Sequence, residues 1–300
     1  MIKNKLIVFF LITFLLIIAS CSSAPKNPED IDVLRSQAEF WLKSANSNAG
    51  QGKFKEALIQ LDDAKRNAVL TDDSSLIIRT CLSRGNVLFS LGRSDEAFAE
   101  WNRAIAEADR YGDAELKSVS RVYFSRGELL SGRLQANPQS QMRIEELAKI
   151  VLKKLEDESS NIKSNRLYIA FSWQVRGLAH RALGEYSEAE DAFKRSLDIH
   201  IKDKNMEDAS YDWYVIASIR SLWAGKTAQD VLNALEASLA IDRRIENSWG
   251  IAASYRAMGD VYQKAGKRSE ALAAYSRAKE IYAMLGNTDE LAEIEKRIGN

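Results

Sequence analysis

The sequence predicts an all-α fold, a solenoid of about six helical hairpins ended by a C-terminal capping helix. The first observation is a pattern: a turn glycine, a small residue, an aromatic or Leu four places on, and a small residue three places later. The copies are Gly52, Ala57, Leu61, Ala64; Gly92, Ala97, Trp101, Ala104; Gly184, Ala189, Phe193, Ser196; Gly225, Val231, Leu235, Ser238; and Gly266, Ala271, Tyr275, Ala278. A degenerate third copy reads Ala148, Leu152, Leu155. The second observation is another glycine seven residues before the turn glycine, at Gly85, Gly177 and Gly259. The third is composition: 46% hydrophobic, with 3 Pro and 15 Gly in 300 residues, suits helices throughout. Repetition of this kind marks stacked hairpins, each burying its apolar face against its neighbours.

The first 20 residues read as a leader outside that fold. Lys3 and Lys5 precede an unbroken apolar run of 13 residues, Leu6 to Ile18, too short for an ordinary spanning helix. The run ends in Ile18, Ala19, Ser20, Cys21. That ending resembles the lipobox of bacterial lipoproteins, in which the Cys thiol takes a diacylglycerol after cleavage. An ordinary secretory leader with an incidental Cys, or an uncleaved anchor, is the alternative reading. The resemblance implies lipid attachment at Cys21, and Ser22 in place of Asp resembles sorting to the outer membrane, facing the periplasm. Residues 21–30, with Pro25 and Pro28 among small polar residues, read as the lipidated Cys and a flexible tether.

Lys and Arg together number 42, as do Asp and Glu; without the leader the balance is 40 basic against 42 acidic. No basic excess supports nucleic-acid binding through phosphate neutralisation. With Cys21 assigned to lipid, Cys81 has no partner in the chain and reads as a buried, inert thiol.

Residues 31–300 then divide into repeats at about 31–70, 73–111, 113–159, 163–203, 206–244 and 247–285, with a cap at 288–299. A glycine inside a helix costs about 1 kcal/mol relative to Ala. Its return at one place therefore predicts that the neighbouring helix crosses there too closely for a side chain. The third repeat is longer: Gly127 to Ala148 spans 21 residues, against 12 between Gly85 and Ala97. The expectation is a first helix to about Ala136, a turn at Asn137 and Pro138, and a second helix from about Ser140. Such an insertion is either a binding loop or an extended hairpin. In the last segment Leu291, Ile294 and Ile298 share one face of a capping helix.

These hairpins resemble the tetratricopeptide repeat (TPR) family. The match is carried by Tyr255, Gly259, Tyr262, Gly266, Ala271, Tyr275 and Ala278, and by Trp173, Gly177, Gly184, Tyr186, Ala189 and Phe193. It departs in period: successive small anchors stand 40, 51, 41, 42 and 40 residues apart, against the family's usual value of about 34. The Pro that commonly closes a family repeat is absent. Both departures resemble the long-repeat variant of kinesin light chains and bacterial regulatory repeat proteins. The resemblance implies a right-handed superhelix whose first helices line a concave groove. Carried over position by position, it puts Asn46, Asn86, Glu128, Gln174, Arg256 and Asp260 in that groove, joined by Phe89, Phe124, Arg181 and Trp223. Leu42 and Ser83 replace the Lys and Asn of the family's carboxylate clamp.

No catalytic or metal-ligating constellation stands out. His180 and His200 lie in no metal spacing; His180 reads as a packing residue and His200 as a complement to a helix dipole. Glu188 and Glu190 read as surface acids opening a helix. Arg84, Arg126 and Arg176, each just before a crossing glycine, read as stems laid over a neighbouring helix and paired with carboxylates, or else as a basic ladder for an acidic ligand, the former favoured. The expected function is non-enzymatic and cofactor-free: a lipid-anchored envelope scaffold holding a protein or peptide in its groove. The alternative is an accessory to a periplasmic solute (TRAP-type) transport system, with Trp213, Trp223 and Trp249 lining an apolar cavity.

Overall fold

A computed structural model describes residues 28–133 and 138–299, and the leader, Cys21 and most of the tether lie outside the described residues. Among the described residues all regular structure is helical. The thirteen helices are α1 (Pro28–Gly50), α2 (Phe54–Leu70), α3 (Ser74–Ser90), α4 (Ser94–Tyr111), α5 (Ala114–Arg133), α6 (Pro138–Ser159), α7 (Arg166–Ala182), α8 (Tyr186–Lys202), α9 (Met206–Arg220), α10 (Ala228–Arg244), α11 (Ser248–Lys264), α12 (Arg268–Met284) and α13 (Thr288–Gly299). Odd and even members pair into six hairpins, and α13 packs on α12.

Local chemistry sets the ends. Gly52, Gly92, Gly184 and Gly266 turn the chain within a hairpin at φ between 72° and 77°, where a β-carbon is disfavoured. Gly225 does not take this conformation; hairpin five turns instead through 221–227 into a capping box between Thr227 and Asp230. Asp73, Asn165 and Asn247 cap α3, α7 and α11 by accepting backbone N–H bonds. Helix α1 begins at Pro28, inside the expected tether, and α6 begins at Pro138 rather than Ser140. Proline suits that first helical position because its missing N–H would have no partner there.

The pattern's small residues are the core. Ala57, Leu61, Ala64, Ala97, Trp101, Ala104, Ala189, Phe193, Ala271, Tyr275 and Ala278 are buried. In the third copy the buried face is Ile144, Ala148, Val151 and Leu155, so Val151 takes the place expected of the half-buried Leu152. The internal glycines are explained by aromatic rings. A β-carbon at Gly85 would stand 2.2 Å from Trp101 Nε1, and one at Gly127 2.2 Å from Trp101 Cζ3. Phe193 at 2.5 Å and Tyr275 at 2.4 Å exclude a side chain in the same way at Gly177 and Gly259. It is thus a side chain of the second helix, not its backbone, that lies on the glycine.

First helices also pack on first helices: α1 on α3, α3 on α5, α5 on α7 and α9 on α11. That inner row lines the concave side, with α2, α4, α8 and α10 outside it. One hydrophobic core runs through the hairpins, and a second smaller one joins hairpin six to Ile294 of α13.

Candidate functional site

The inner row curves around a chamber of about 1150 Å³ that remains partly open to solvent, lined by residues of all six first helices. Four of the expected groove residues line it: Asn46 on α1, Asn86 on α3, Gln174 on α7 and Arg256 on α11. The others lie elsewhere. Phe89 packs on Trp101, and Phe124 stands edge-on to Phe98 in a separate hollow between α4, α5 and α6. Glu128 pairs with Lys154. Arg181 does not line the chamber. Trp223 sits in the loop after α9 under Lys226, and Asp260 accepts bonds from Tyr275 and Arg297. The reason is rotation of the helix: the side a residue presents depends on how its helix is turned about its own axis in the packed array, and position in a repeat alone does not fix that.

Side chains outside the expectation complete the wall. Arg79 on α3 and Arg126 on α5 face the chamber and have no carboxylate partner among the described residues. Of the arginines before crossing glycines, Arg84 pairs with Asp62 and Glu100, and Arg176 lies over Trp173. Arg126 alone of the three turns inward. Beside it Tyr123 and Phe171 stack with ring centroids 4.0 Å apart, bridging α5 to α7. Asn86 Oδ1 and Arg256 Nε are buried without a hydrogen-bond partner among the described residues. Such atoms are costly unless a ligand or water meets them. Glu207 and Asp208 at the start of α9 form an acidic part of the same wall.

A buried polar cluster supports the chamber at hairpins four and five. His200 is 2% exposed, and Asp212 and Ser196 are fully buried. His200 Nδ1 lies 2.8 Å from Asp212 Oδ2 and 3.4 Å from Ser196 Oγ, while Gln174 donates to Asp212 at 2.8 Å. His200 lies in the last turn of α8, as expected for a complement to the helix dipole, and it also forms a buried ion pair. Burial alone would lower the imidazole's pKa, but its bond with Asp212 and the charge of Asp208 outweigh that and raise it. Ser and Asp share one ring nitrogen, so the set is not wired as a nucleophile relay. Glu190 is likewise 3% exposed rather than a surface acid, and it binds Arg220 at 2.7 Å and Lys194 at 2.9 Å. Burial would raise its carboxyl, but these cations hold it down at about 2.

The sequence offered no signal for Arg79 and Arg126: they lack a carboxylate three or four places away, but so do Arg84, Arg121, Arg166 and Arg220, which find partners on other helices. Trp249 alone of Trp213, Trp223 and Trp249 lines the chamber, so the three do not share one apolar cavity. Among the described residues no group of three or more His, Cys, Asp or Glu could hold a metal ion, and no helix is long and apolar enough to cross a membrane. Cys81 is buried, and burial and the Glu100 charge push its thiol up to about 12, so it is inert.

A tetratricopeptide repeat family model matches residues 176–202, the end of α7 and all of α8. No curated protein matches the chain. Among solved structures, BtubC (BKLC) from P. vanneervenii is 15% identical, with 83% of this chain and 92% of that chain covered at a TM-score of 0.51. A Rap protein solved in complex with competence and sporulation factor is 13% identical, with 88% and 74% covered at a TM-score of 0.54. The chain is an all-α, TPR-like solenoid, and hairpin four carries the family's sequence signature.

Proposed function

We propose that the chain is a lipid-anchored scaffold of the bacterial envelope, on the outer membrane's periplasmic side, that holds an extended segment of a partner protein in its central chamber. The observation that carries the binding half is the inward pair Arg79 and Arg126, neither in an ion pair among the described residues, in the same wall as the unpartnered Asn86 Oδ1. Arginines that face the chamber without an ion-pair partner favour an anionic group on the ligand, Arg79 exposed and Arg126 half-buried, and the stacked Tyr123 and Phe171 offer an aromatic anchor. The acids Glu207 and Asp208, which line the same chamber, favour a cationic group elsewhere on the ligand. The Rap protein's complex with competence and sporulation factor, on a similar fold, supports the reading by analogy. The anchoring half rests on the sequence around Cys21.

A photo-crosslinking residue at Asn46 should capture a defined partner in living cells, and one at Glu236 on the outer helix α10 should not. Arg79→Glu with Arg126→Glu should cut the Asn46 adduct at least tenfold. Equal capture at both sites, or capture indifferent to the charge reversal, would reject the chamber as the binding site. Cys21→Ala should abolish labelling by a fatty-acid analogue and release the protein from membranes; continued membrane association would mean that the leader is retained.

A further inference from the structure

Six glycines hold positive φ, and five of them, Gly92, Gly112, Gly184, Gly266 and Gly286, have nothing within 4 Å of where a β-carbon would stand. Gly52 differs: the indole of Trp249, from hairpin six, would lie 2.6 Å from its β-carbon. Phe54, two residues on, stands edge-on to the same indole at 6.1 Å and 76°. Trp249 is steadied from behind by Tyr282, edge-on at 5.4 Å. Nearby, a β-carbon at Gly50 would meet Glu207 Oε2 of hairpin five at 3.1 Å. The first hairpin thus meets the last two, and the concave groove is closed into a ring around the chamber.

This seam is unlike every other junction in the molecule. Sequential hairpins join along whole helices, whereas no helix of hairpin one packs along a helix of hairpin five or six. In a solenoid each hairpin leans on its neighbours alone, so small rotations at every junction add up at the ends. A joint of a few side chains is then the place where the ring parts. An occupant touching both α3 and α11 would favour the closed form, since it binds that form better than the open one. We infer that Trp249 on Gly52 is a separable seam that opens to load the chamber and closes over its occupant. This rests on the chamber-binding reading above.

The test separates the two claims. Spin labels at Lys55→Cys and Ser248→Cys, in the full chain carrying Cys21→Ala, report the seam without any ligand; Cys81 stays silent because it is buried. The expected result is a dominant short distance that becomes long and broad in Trp249→Ala and, independently, in Phe54→Ala, but not in Gly92→Ala. Unchanged helix content by circular dichroism identifies the folded variants. A second arm places Cys at Ser83 in the chamber wall and follows its modification by a 5-kDa maleimide–polyethylene glycol. Opening the seam with Trp249→Ala should speed that reaction at least tenfold, while N-ethylmaleimide reacts at an unchanged rate. A long distance in the otherwise unaltered chain, or one indifferent to Trp249 and Phe54, would overturn the seam. Equal polymer rates would overturn loading through it. Loss of crosslinking at Asn46 alone would instead remove the binding reading and leave the seam standing.

Discussion

Trp101 joins hairpins two and three by shape, whereas the junction of hairpins four and five is held largely by buried charge. Around Trp101 the packing is a ring between two notches: Gly85 on α3 and Gly127 on α5 both leave room for the same indole, which also donates to the Leu82 carbonyl at 3.3 Å. Around α9 the glycine position of the pattern is occupied by Ser218, and the contacts are Glu190 with Arg220, His200 with Asp212, and Ser210 with Ser238 at 3.0 Å. Even the notch recurs in polar form, since a β-carbon at Gly250 would stand 2.3 Å from the buried Asp242 carboxylate. Dispersion contacts tolerate pH and salt. Buried charges are strong only while each partner keeps its protonation state. One architecture is therefore stabilised by two kinds of physics, and the polar half adjoins the chamber.

The comparison can be broken most sharply at its two centres. Trp101→Ala should cost about 3–5 kcal/mol, because it empties a space that two glycines cannot refill. Urea unfolding at neutral pH measures it, and a loss below about 1 kcal/mol would mean that the notches collapse. Glu190→Ala should cost about 3 kcal/mol, since it leaves Arg220 poorly solvated and without its carboxylate. The pH dependence distinguishes the regions. Glu190 titrates lower in the fold, at about 2, than its ordinary 4.5. Its contribution is accordingly present in full above about pH 4.5 and fades as the pH falls towards 2. The stability gap between the wild type and Glu190→Gln should be wide at pH 7 and close by pH 2, whereas the gap for Trp101→Ala should persist; a gap for Glu190→Gln that does not change with pH would contradict the assignment. Gly85→Ala should cost about 1–3 kcal/mol through overpacking against Trp101. Gly92→Ala, with open space around it, should cost only about 1–2 kcal/mol for its left-handed backbone. Thermal midpoints of the two alanine variants should keep that order.

The shape-held half was readable in advance. A glycine at fixed spacing from an aromatic is a pair of residue types, and a pair repeated at one period is visible in a single chain. The turn glycines, the buried Ala, Trp, Phe and Tyr positions and the cap with Ile294 follow from it. The charge-held half was not readable. Glu190 and His200 carry the residue types of a surface helix, and nothing in their neighbours along the chain tells that Arg220 and Asp212 come to meet them. The groove was legible at Asn46, Asn86, Gln174 and Arg256 and missed at Arg79, Arg126 and Tyr123, because an inward angle depends on how each hairpin leans on the next.

The sequence by itself determined that this is a helical solenoid, with its hairpin count, its turn chemistry and its terminal cap, since those rest on contacts within a repeat or between adjacent ones. Tertiary structure alone decided that hairpin one reaches hairpins five and six, that Trp249 covers Gly52, and that a chamber stands where an open groove was expected. The physical reason is accumulation. Curvature is the sum of small rotations at successive junctions, and no local pattern records a sum.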